Sequence, residues 1–326
     1  MSNLDNFNVF GFRVNPPDPN GEVGPNNFVE MINLVFAVYD KAGNLLLGPV
    51  DTGSLWAGFP VHGLHRSCRA IRSFCIDQFK DRWLLSQFTT AGPEYWNCVA
   101  ISTTSDPTGS YYRYAFSTGP NFPDYPKYGN WTDSYVITTR EFGPTVEYGI
   151  GVYALEKNKM TDGDPNARSV RFFIDGNDPD CCCHSLETVC CRQTSTANRS
   201  RKQTRRFRSS ERRTTTADYG ATFDAINIWD LFIKWRSTPI ASLELNTQLP
   251  TAPFDSIFPC APTARDCLPQ PGIVDPAQYL DILSYRQRPT FRLAYRNFKT
   301  YESLVTNQSV EATPGVAGAR WVRDPA

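Results

Sequence analysis

The sequence predicts an all-β fold, and within that class a β-propeller with four-stranded antiparallel blades. Short runs rich in Trp, Tyr, Phe, Val and Thr recur along the chain, and Gly, Pro, Asn and Asp turns separate them. Helical periodicity is weak throughout. Similar units recur about every 40–60 residues, a period that suits blades of four strands each. A sandwich would need fewer strands and no such repetition.

The first predicted hairpin runs from Phe28 to Tyr39 and ends in a turn at Asp40–Asn44. The best-defined unit runs from Asp81 to Phe116 and contains an Asp-Pro-Thr-Gly turn. The predicted strands after the hairpin are, in order, Arg82–Phe88, Cys98–Ser102, Tyr111–Phe116, Ser134–Thr139, Gly149–Leu155, Val170–Ile174, Ile226–Trp235 and Arg292–Arg296. Each lies between turn residues, as strands of a meander do. The apolar runs predict that Trp83, Phe88, Trp229 and Leu293 are core residues.

Composition excludes several partners. The chain has 326 residues, with 33 basic and 33 acidic side chains. A net charge of zero removes bulk electrostatic attraction as an argument for nucleic acid. No apolar run approaches the ~20 residues of a membrane span. The first residues, Met1–Asp5, lack the basic and apolar regions of a signal peptide.

Two segments, 60–75 and 181–216, differ in character from the rest. The second opens with a cysteine cluster and continues into an arginine-rich run. The cluster members are Cys181, Cys182, Cys183, His184, Cys190 and Cys191. Each segment can be written in codons whose neighbouring reading frame encodes an amino-acid sequence typical of folded protein. We therefore predict that both segments are out of frame or disordered.

Neither a zinc site nor a nucleic-acid-binding site is expected in these segments. Adjacent cysteines do not have the paired spacing of a structural zinc site, and the arginine run contains a single aromatic residue, Phe207, and no recognisable nucleic-acid-binding motif. The only histidines in the chain, His62, His65 and His184, lie in these segments. A histidine-based catalytic triad or metal site is therefore not expected.

The strongest candidate binding motif is Phe122–Lys127, which contains a carboxylate, an aromatic ring and a cation. A lectin site needs aromatic platforms and hydrogen-bonding groups, whereas a glycosidase needs two carboxylates that flank the sugar. The alternative is that the aromatic residues fill the space between blades. The predicted binding residues are Asp124, Tyr125, Lys127, Tyr111, Tyr112 and Arg113.

Three further motifs suggest specific chemistry. Side chains with oxygen ligands cluster at Asp175, Asn177, Asp178 and Asp180, and this cluster suggests calcium as a possible cofactor. Such residues also form turns without a metal ion. Cys260 and Cys267 bracket a short polar loop and predict a disulfide in an oxidising compartment, with two free thiols as the alternative. Asp51-Thr52-Gly53 is similar to an aspartic-protease loop, but the second copy that this chemistry needs is absent.

Several motifs together carry a family resemblance. They are Asn15–Pro25, Asp81–Phe88, Phe122–Lys127 and Arg292–Phe298. The set resembles a family of uncharacterised secreted bacterial β-propeller proteins. The resemblance implies export, with the leader missing from this chain. It also implies that residues 1–326 form a single, incomplete propeller domain, since members of that family continue past this C-terminus.

These observations lead to two functional hypotheses. The first is a secreted or cell-surface β-propeller that acts as a binding or structural module for an extracellular ligand, a glycan or a protein, rather than as an enzyme. The second is a propeller glycoside hydrolase or sialidase-like enzyme. The enzyme would need two or more carboxylates and an arginine at the mouth of the central channel.

Overall fold

The computed structural model describes residues 1–14, 18–59, 74–143, 149–175, 189–191, 210–212, 225–252, 266–268, 271–275, 280–281, 289–313 and 316–325. The chain divides into two compact units, Met1–Arg171 and Phe172–Ala326. No helix among the described residues is both long enough and apolar enough to cross a membrane.

The first unit opens with helix α1 (Asn3–Phe10), followed by three four-stranded sheets in chain order, and the last strand of the third sheet continues past the unit boundary at Arg171. Blade 1 contains β1 (Pro19–Val23), β2 (Asn27–Ile32), β3 (Val35–Asp40) and β4 (Leu45–Asp51). Blade 2 contains β5 (Phe74–Asp77), β6 (Arg82–Phe88), β7 (Tyr95–Ser102) and β8 (Tyr111–Gly119). Blade 3 contains β9 (Phe122–Asn130), β10 (Ser134–Phe142), β11 (Gly149–Glu156) and, after helix α2 (Lys157–Thr161), β12 (Ser169–Asp175).

The second unit is also built from strands. They are β13 (Val189–Cys191), β14 (Ser210–Arg212), β15 (Ala225–Lys234), β16 (Ile240–Pro250), β17 (Asp266–Leu268), β18 (Leu280–Asp281), β19 (Pro289–Asn297), β20 (Glu302–Thr313) and β21 (Val316–Pro325). Strands β13, β19, β20 and β21 are neighbours in that order, β14, β15 and β16 form a second group, and β17 pairs with β18.

Each blade of the first unit is a meander in which consecutive strands are hydrogen-bonded neighbours. The first strands of the blades lie together, since β5 contacts both β1 and β9. Four-stranded blades with their first strands grouped form a propeller arrangement. The predicted all-β fold class is therefore confirmed.

The core lies between the faces of successive blades. One apolar cluster joins blades 1 and 2, and its buried members include Phe36, Trp56, Trp83 and Leu85. A second cluster joins blades 2 and 3, and its buried members include Leu84, Val99, Ile101, Tyr128, Tyr153 and Leu155. Because successive residues of a strand point to opposite faces, Trp83 and Leu84 serve different clusters. Strands buried on both faces explain the apolar runs seen in the sequence.

The predicted core residues are confirmed. Trp83 and Phe88 are buried in the first unit, and Trp229 and Leu293 are buried in the second.

Short parts of the two atypical segments are strands in the structure. Phe74 and Cys75 belong to β5, and the Cys75 side chain is buried, so strand structure begins before residue 76. Within 181–216, Val189–Cys191 pairs parallel with β19 and Ser210–Arg212 pairs antiparallel with β15. Both stretches are therefore strands within the second atypical segment, and their side chains lie outside the described residues. The remaining residues of both segments lie outside the described residues.

Candidate functional site

The predicted motif Phe122–Lys127 forms the first two thirds of β9, the first strand of blade 3. Lys127 lies opposite Thr138 and Asp124 lies opposite Arg140, so two residues of β9, Tyr125 and Pro126, face one residue of β10. This is a β-bulge, a feature that is over-represented beside active sites because it redirects side chains.

Tyr125 has a left-handed backbone, with φ of 51°. This conformation costs about 1–2 kcal/mol for a residue with a Cβ. It is more unusual here because the residue before a proline is normally extended. Strain of this kind persists where the surrounding structure enforces it, and it concentrates at functional sites.

The Asp124 carboxylate lies half-buried at the bulge. Its Oδ1 accepts a hydrogen bond of 2.8 Å from the Tyr125 N–H. Burial raises the pKa of Asp124, and the Tyr125 hydrogen bond and the positive charge of Arg140 oppose this rise only in part. A carboxyl group in this environment can both accept and, in its neutral form, donate hydrogen bonds.

On each of the two paired strands a cationic side chain contacts an aromatic ring. The Lys127 ammonium lies 3.9 Å from the centroid of the Tyr125 ring. The Arg140 guanidinium lies 5.2 Å from the centroid of the Phe142 ring. Both are cation–π contacts, in which the ring face attracts the charged group. We call Asp124, Tyr125, Lys127 and Arg140 the bulge site.

The other predicted binding residues lie on β8 of blade 2, not on the strands of the bulge site. Tyr111 packs against the cluster between blades 1 and 2, and its hydroxyl donates to the Pro107 carbonyl at 2.6 Å. Tyr112 packs against the cluster between blades 2 and 3. Arg113 donates to the Ala57 carbonyl at 2.7 Å and stacks on Phe59. For these three residues the packing contacts considered as the alternative are present.

Next to Arg140, the Glu141 carboxylate is fully buried among donors. Asn121 donates to its Oε2 at 3.0 Å and Thr139 donates to its Oε1 at 3.2 Å. The Tyr153 hydroxyl donates to it, and Arg171 forms an ion pair with it. Burial and the nearby Glu141 charge raise the pKa of Tyr153. Both carboxylate oxygens are thus occupied by protein groups, and the cluster fixes the end of β10.

Sequence reasoning missed Arg140 and Glu141. The predicted strand ended at Thr139, whereas β10 continues to Phe142. Two consecutive charged residues at a strand end usually indicate a turn. The Phe122–Lys127 motif could have indicated that Arg140 and Glu141 lie inside the sheet. If this motif is a strand, its neighbour β10 must be long enough to pair with it.

An open cleft of about 440 Å³ lies at the turns of blades 1 and 2. It is lined by Asn26, Asn27, Leu46, Ser105, Asp106 and Thr108. Asp106 already accepts hydrogen bonds from the backbone and side chain of Thr108, at 2.9 and 2.8 Å. The cleft contains none of the residues of the bulge site, and its carboxylate has a turn-forming role.

The remaining predicted sites are only partly described. Asp175 is exposed at the end of β12, whereas Asn177, Asp178 and Asp180 lie outside the described residues. Cys267 falls in the backbone of β17, but its side chain and all of Cys260 lie outside them.

The protease-like loop is a turn. The Asp51 carboxylate accepts from the Gly53 N–H at 2.6 Å and caps the short helical turn Thr52–Trp56.

No family model matches the chain, and no curated protein matches it. Among solved structures, the chain is similar to a Cellvibrio cellulosa alpha-L-arabinanase, with 9% identity and a TM-score of 0.32 over 95% of this chain and 91% of that chain. A second structure, the Cellvibrio cellulosa enzyme complexed with arabinohexaose, matches with 8% identity and a TM-score of 0.27 over 94% of this chain and 90% of that chain. The fold assignment above rests on the strand pairing of the chain itself.

Proposed function

We propose that the protein is a secreted or cell-surface β-propeller module that binds a glycan at the bulge site. The observation that carries the proposal is the left-handed backbone at Tyr125. With the bulge that it accompanies, it places the Tyr125 ring against the Lys127 ammonium, one residue along β9 from the Asp124 carboxyl group. Strain beside polar groups is characteristic of a site kept for binding rather than for folding.

The chemistry of the bulge site suits a polyhydroxylated ligand. A sugar ring has an apolar face and a rim of hydroxyl groups, each of which donates and accepts hydrogen bonds. The Asp124 carboxylate can accept from such hydroxyls, and the Lys127 ammonium and Arg140 guanidinium can donate to them. Tyr125 contributes a large apolar surface with a polar tip. These groups could hold a neutral or acidic glycan.

Hydrolysis is the second candidate, and the raised pKa of Asp124 favours it. A general acid of a glycosidase needs a carboxyl group whose pKa is raised by its surroundings. The reaction also needs a second carboxylate on the other side of the scissile bond. The nearby Glu141 carboxylate is occupied by Asn121, Thr139, Tyr153 and Arg171. Binding without hydrolysis is therefore the function we prefer.

A glycan array followed by titration calorimetry tests the proposal. We expect the protein to bind at least one glycan class. We expect Asp124→Asn and Lys127→Ala each to weaken that binding about 10- to 100-fold, which corresponds to the loss of one charged hydrogen bond of about 1.5–3 kcal/mol. Lys41→Ala, in an exposed hairpin turn of blade 1, is the matched control and should bind like the parent.

Two outcomes would contradict the proposal. One is the absence of binding to any glycan by well-folded protein. The other is binding that neither bulge-site variant weakens. Release of reducing sugar from a bound polysaccharide, abolished by Asp124→Asn, would establish the hydrolase instead.

A further inference from the structure

A second polar cluster lies buried between blades 2 and 3, and the glycan-binding proposal does not use it. It consists of Asp77 at the end of β5, Asn130 at the end of β9 and Lys157 at the start of α2. The Asp77 and Lys157 side chains are both 0% exposed, and Asn130 is equally buried. A buried ion pair is weak evidence for stability, because desolvation of the charges offsets their attraction. The arrangement therefore calls for a chemical explanation.

The three side chains contact one another in a closed triangle. The Lys157 Nζ donates to the Asn130 Oδ1 at 2.7 Å and to the Asp77 Oδ1 at 2.8 Å. The Asn130 Nδ2 donates to the same Asp77 Oδ1 at 3.2 Å. One carboxylate oxygen thus contacts both the amine of the lysine and the amide nitrogen of the asparagine.

The surroundings of the triangle are aromatic and closed to water. The Lys157 Nζ lies 4.5 Å from the centroid of the Phe79 ring and 5.2 Å from that of Tyr135. The Tyr135 hydroxyl donates to the Asp77 Oδ2 at 2.7 Å, and the Phe79 N–H donates to the Oδ1 at 2.9 Å. Both bonds hold the carboxylate against the other two side chains.

Burial also affects the lysine. It lowers the pKa of Lys157, although the charge of Asp77 and the hydrogen bond to it oppose this shift. A lysine with a lowered pKa has more of the neutral amine, which is the nucleophilic form.

We propose that Lys157 and Asn130 join in an intramolecular isopeptide bond, with Asp77 as the group that transfers the protons. The geometry carries this assignment: a buried amine contacts the side-chain amide that it would attack, and one carboxylate touches both. Groups held in contact in this way react as if at very high concentration. Within the triangle Asp77 is the catalytic residue and Tyr135 is a positioning residue.

The reaction balances without an oxidant or a co-reactant. Asp77 takes a proton from the Lys157 ammonium, and the neutral amine attacks the Asn130 Cγ. The bond from Nζ to Cγ forms, and the bond from Cγ to Nδ2 breaks. Asp77 passes this proton to the departing Nδ2, then takes a second proton from the attacking nitrogen and passes it to Nδ2 as well. The nitrogen leaves as ammonium, so Asp77 ends as a carboxylate and Lys157 as a neutral secondary amide.

The bond would lock blade 3. Asn130 and Lys157 are separated by 27 positions along the chain, and β10 and β11 lie between them. The link would therefore tie the end of the first strand of the blade to the end of the third. A covalent closure of this kind limits the unfolded chain in the same way as a disulfide, and it does not depend on the redox state of the compartment.

Mass spectrometry of the soluble, reduced and alkylated full chain tests the proposal. We expect the intact denatured protein to be lighter than its sequence by one ammonia. After trypsin digestion, we expect the peptide Tyr128–Arg140 to be joined to Glu141–Lys159, with no cleavage at Lys157. An intact mass equal to that of the sequence, with both peptides recovered separately, would overturn the proposal; the Lys157 ammonium would then be held by its acceptors alone, including the Trp131 carbonyl at 2.8 Å.

Variants assign the roles within the triangle. Asp77→Asn and Lys157→Gln should each restore the full mass, whereas Lys159→Gln, at a half-buried lysine in the same helix, should retain the loss of ammonia. Ammonia loss that persists in Lys157→Gln would place the reaction elsewhere and refute the bond. Loss of water with Lys157 joined to Asp77 would refute Asn130 as the partner. If the Asp77 or Lys157 variant does not fold, the linked peptide of the parent chain decides the question.

Discussion

At Asp124 the proposed role in binding conflicts with stability. Its pKa is raised chiefly by burial, so the folded state favours the neutral acid. When the pKa of an acid is higher in the folded than in the unfolded state, protonation of that acid stabilises the fold. The full contribution to the free energy of unfolding is present below the unfolded-state pKa, and it is lost as the pH rises through the folded-state pKa. At neutral pH the ionised carboxylate therefore destabilises the fold relative to acidic pH.

Asp124→Asn should therefore stabilise the protein at neutral pH. The amide oxygen can still accept from the Tyr125 N–H, and the cost of burying a charge is removed. We expect the melting temperature of the variant to exceed that of the parent at neutral pH, and the difference to shrink below the ordinary pKa of aspartate. Thermal melts across this pH range measure it. A variant that is less stable than the parent at neutral pH would mean that attraction to Arg140 outweighs burial.

Individual residues also show what the sequence can and cannot predict. The Phe122–Lys127 motif could be nominated because its carboxylate, ring and cation are adjacent in sequence. Tyr111 and Tyr112 were also predicted as binding residues because they are adjacent in sequence, yet neighbouring residues of a strand point to opposite faces. They accordingly pack in different clusters. Arg140 could not be placed beside Asp124, because that pairing depends on the backbone of Tyr125.

Among the elements, many strands were predictable, whereas β16, β20, β21 and the short helix α1 were not. Apolar and aromatic runs between turn residues located β6, β8 and β15, because burial between blades requires them. The predicted strands were too short where their ends contain buried polar residues, such as Glu141 in β10. Helix α1 has little apolar periodicity and is defined by its ends: Ser2 and Asp5 form a capping box and Gly11 closes the C-terminus. Such end signals are weaker in a sequence than a repeating apolar face.

The pairing of β10 with β11 depends on a glycine. A Cβ on Gly151 would collide with the Glu141 carboxylate and would lie 2.7 Å from the Thr139 Oγ1. We therefore expect Gly151→Ala to displace Glu141 from its donors. Breaking a buried ion pair costs about 3–5 kcal/mol, and chemical denaturation should detect a loss of this size.

Gly109→Ala provides the matched control for that prediction. Gly109 lies in a turn of blade 2, and an added Cβ would make only ordinary contacts, the nearest at 3.5 Å. We expect this variant to unfold within about 0.5 kcal/mol of the parent, as surface substitutions usually do. A Gly151→Ala protein as stable as the control would show that the Glu141 cluster adapts without cost.

At the scale of the whole molecule, the first unit has a core of its own. The members of the clusters between blades 1 and 2 and between blades 2 and 3 all lie between Val29 and Ala167. The buried pairs Asp77–Lys157 and Glu141–Arg171 also lie within Met1–Arg171. A segment that buries its own apolar faces and pairs its own buried charges has what a domain needs to fold independently.

We therefore expect a fragment of residues 1–175 to fold alone. Urea denaturation should give a single cooperative transition with coincident fluorescence and circular dichroism curves, the usual test of two-state unfolding. A fragment of residues 1–119 is the control, because it keeps blades 1 and 2 but leaves Leu84, Val99 and Ile101 without blade 3. That exposed sheet face should make the shorter fragment aggregate. If the 1–175 fragment unfolds without a cooperative transition, the first unit needs residues outside this range to fold. The two clusters between its blades would then be insufficient to stabilise it.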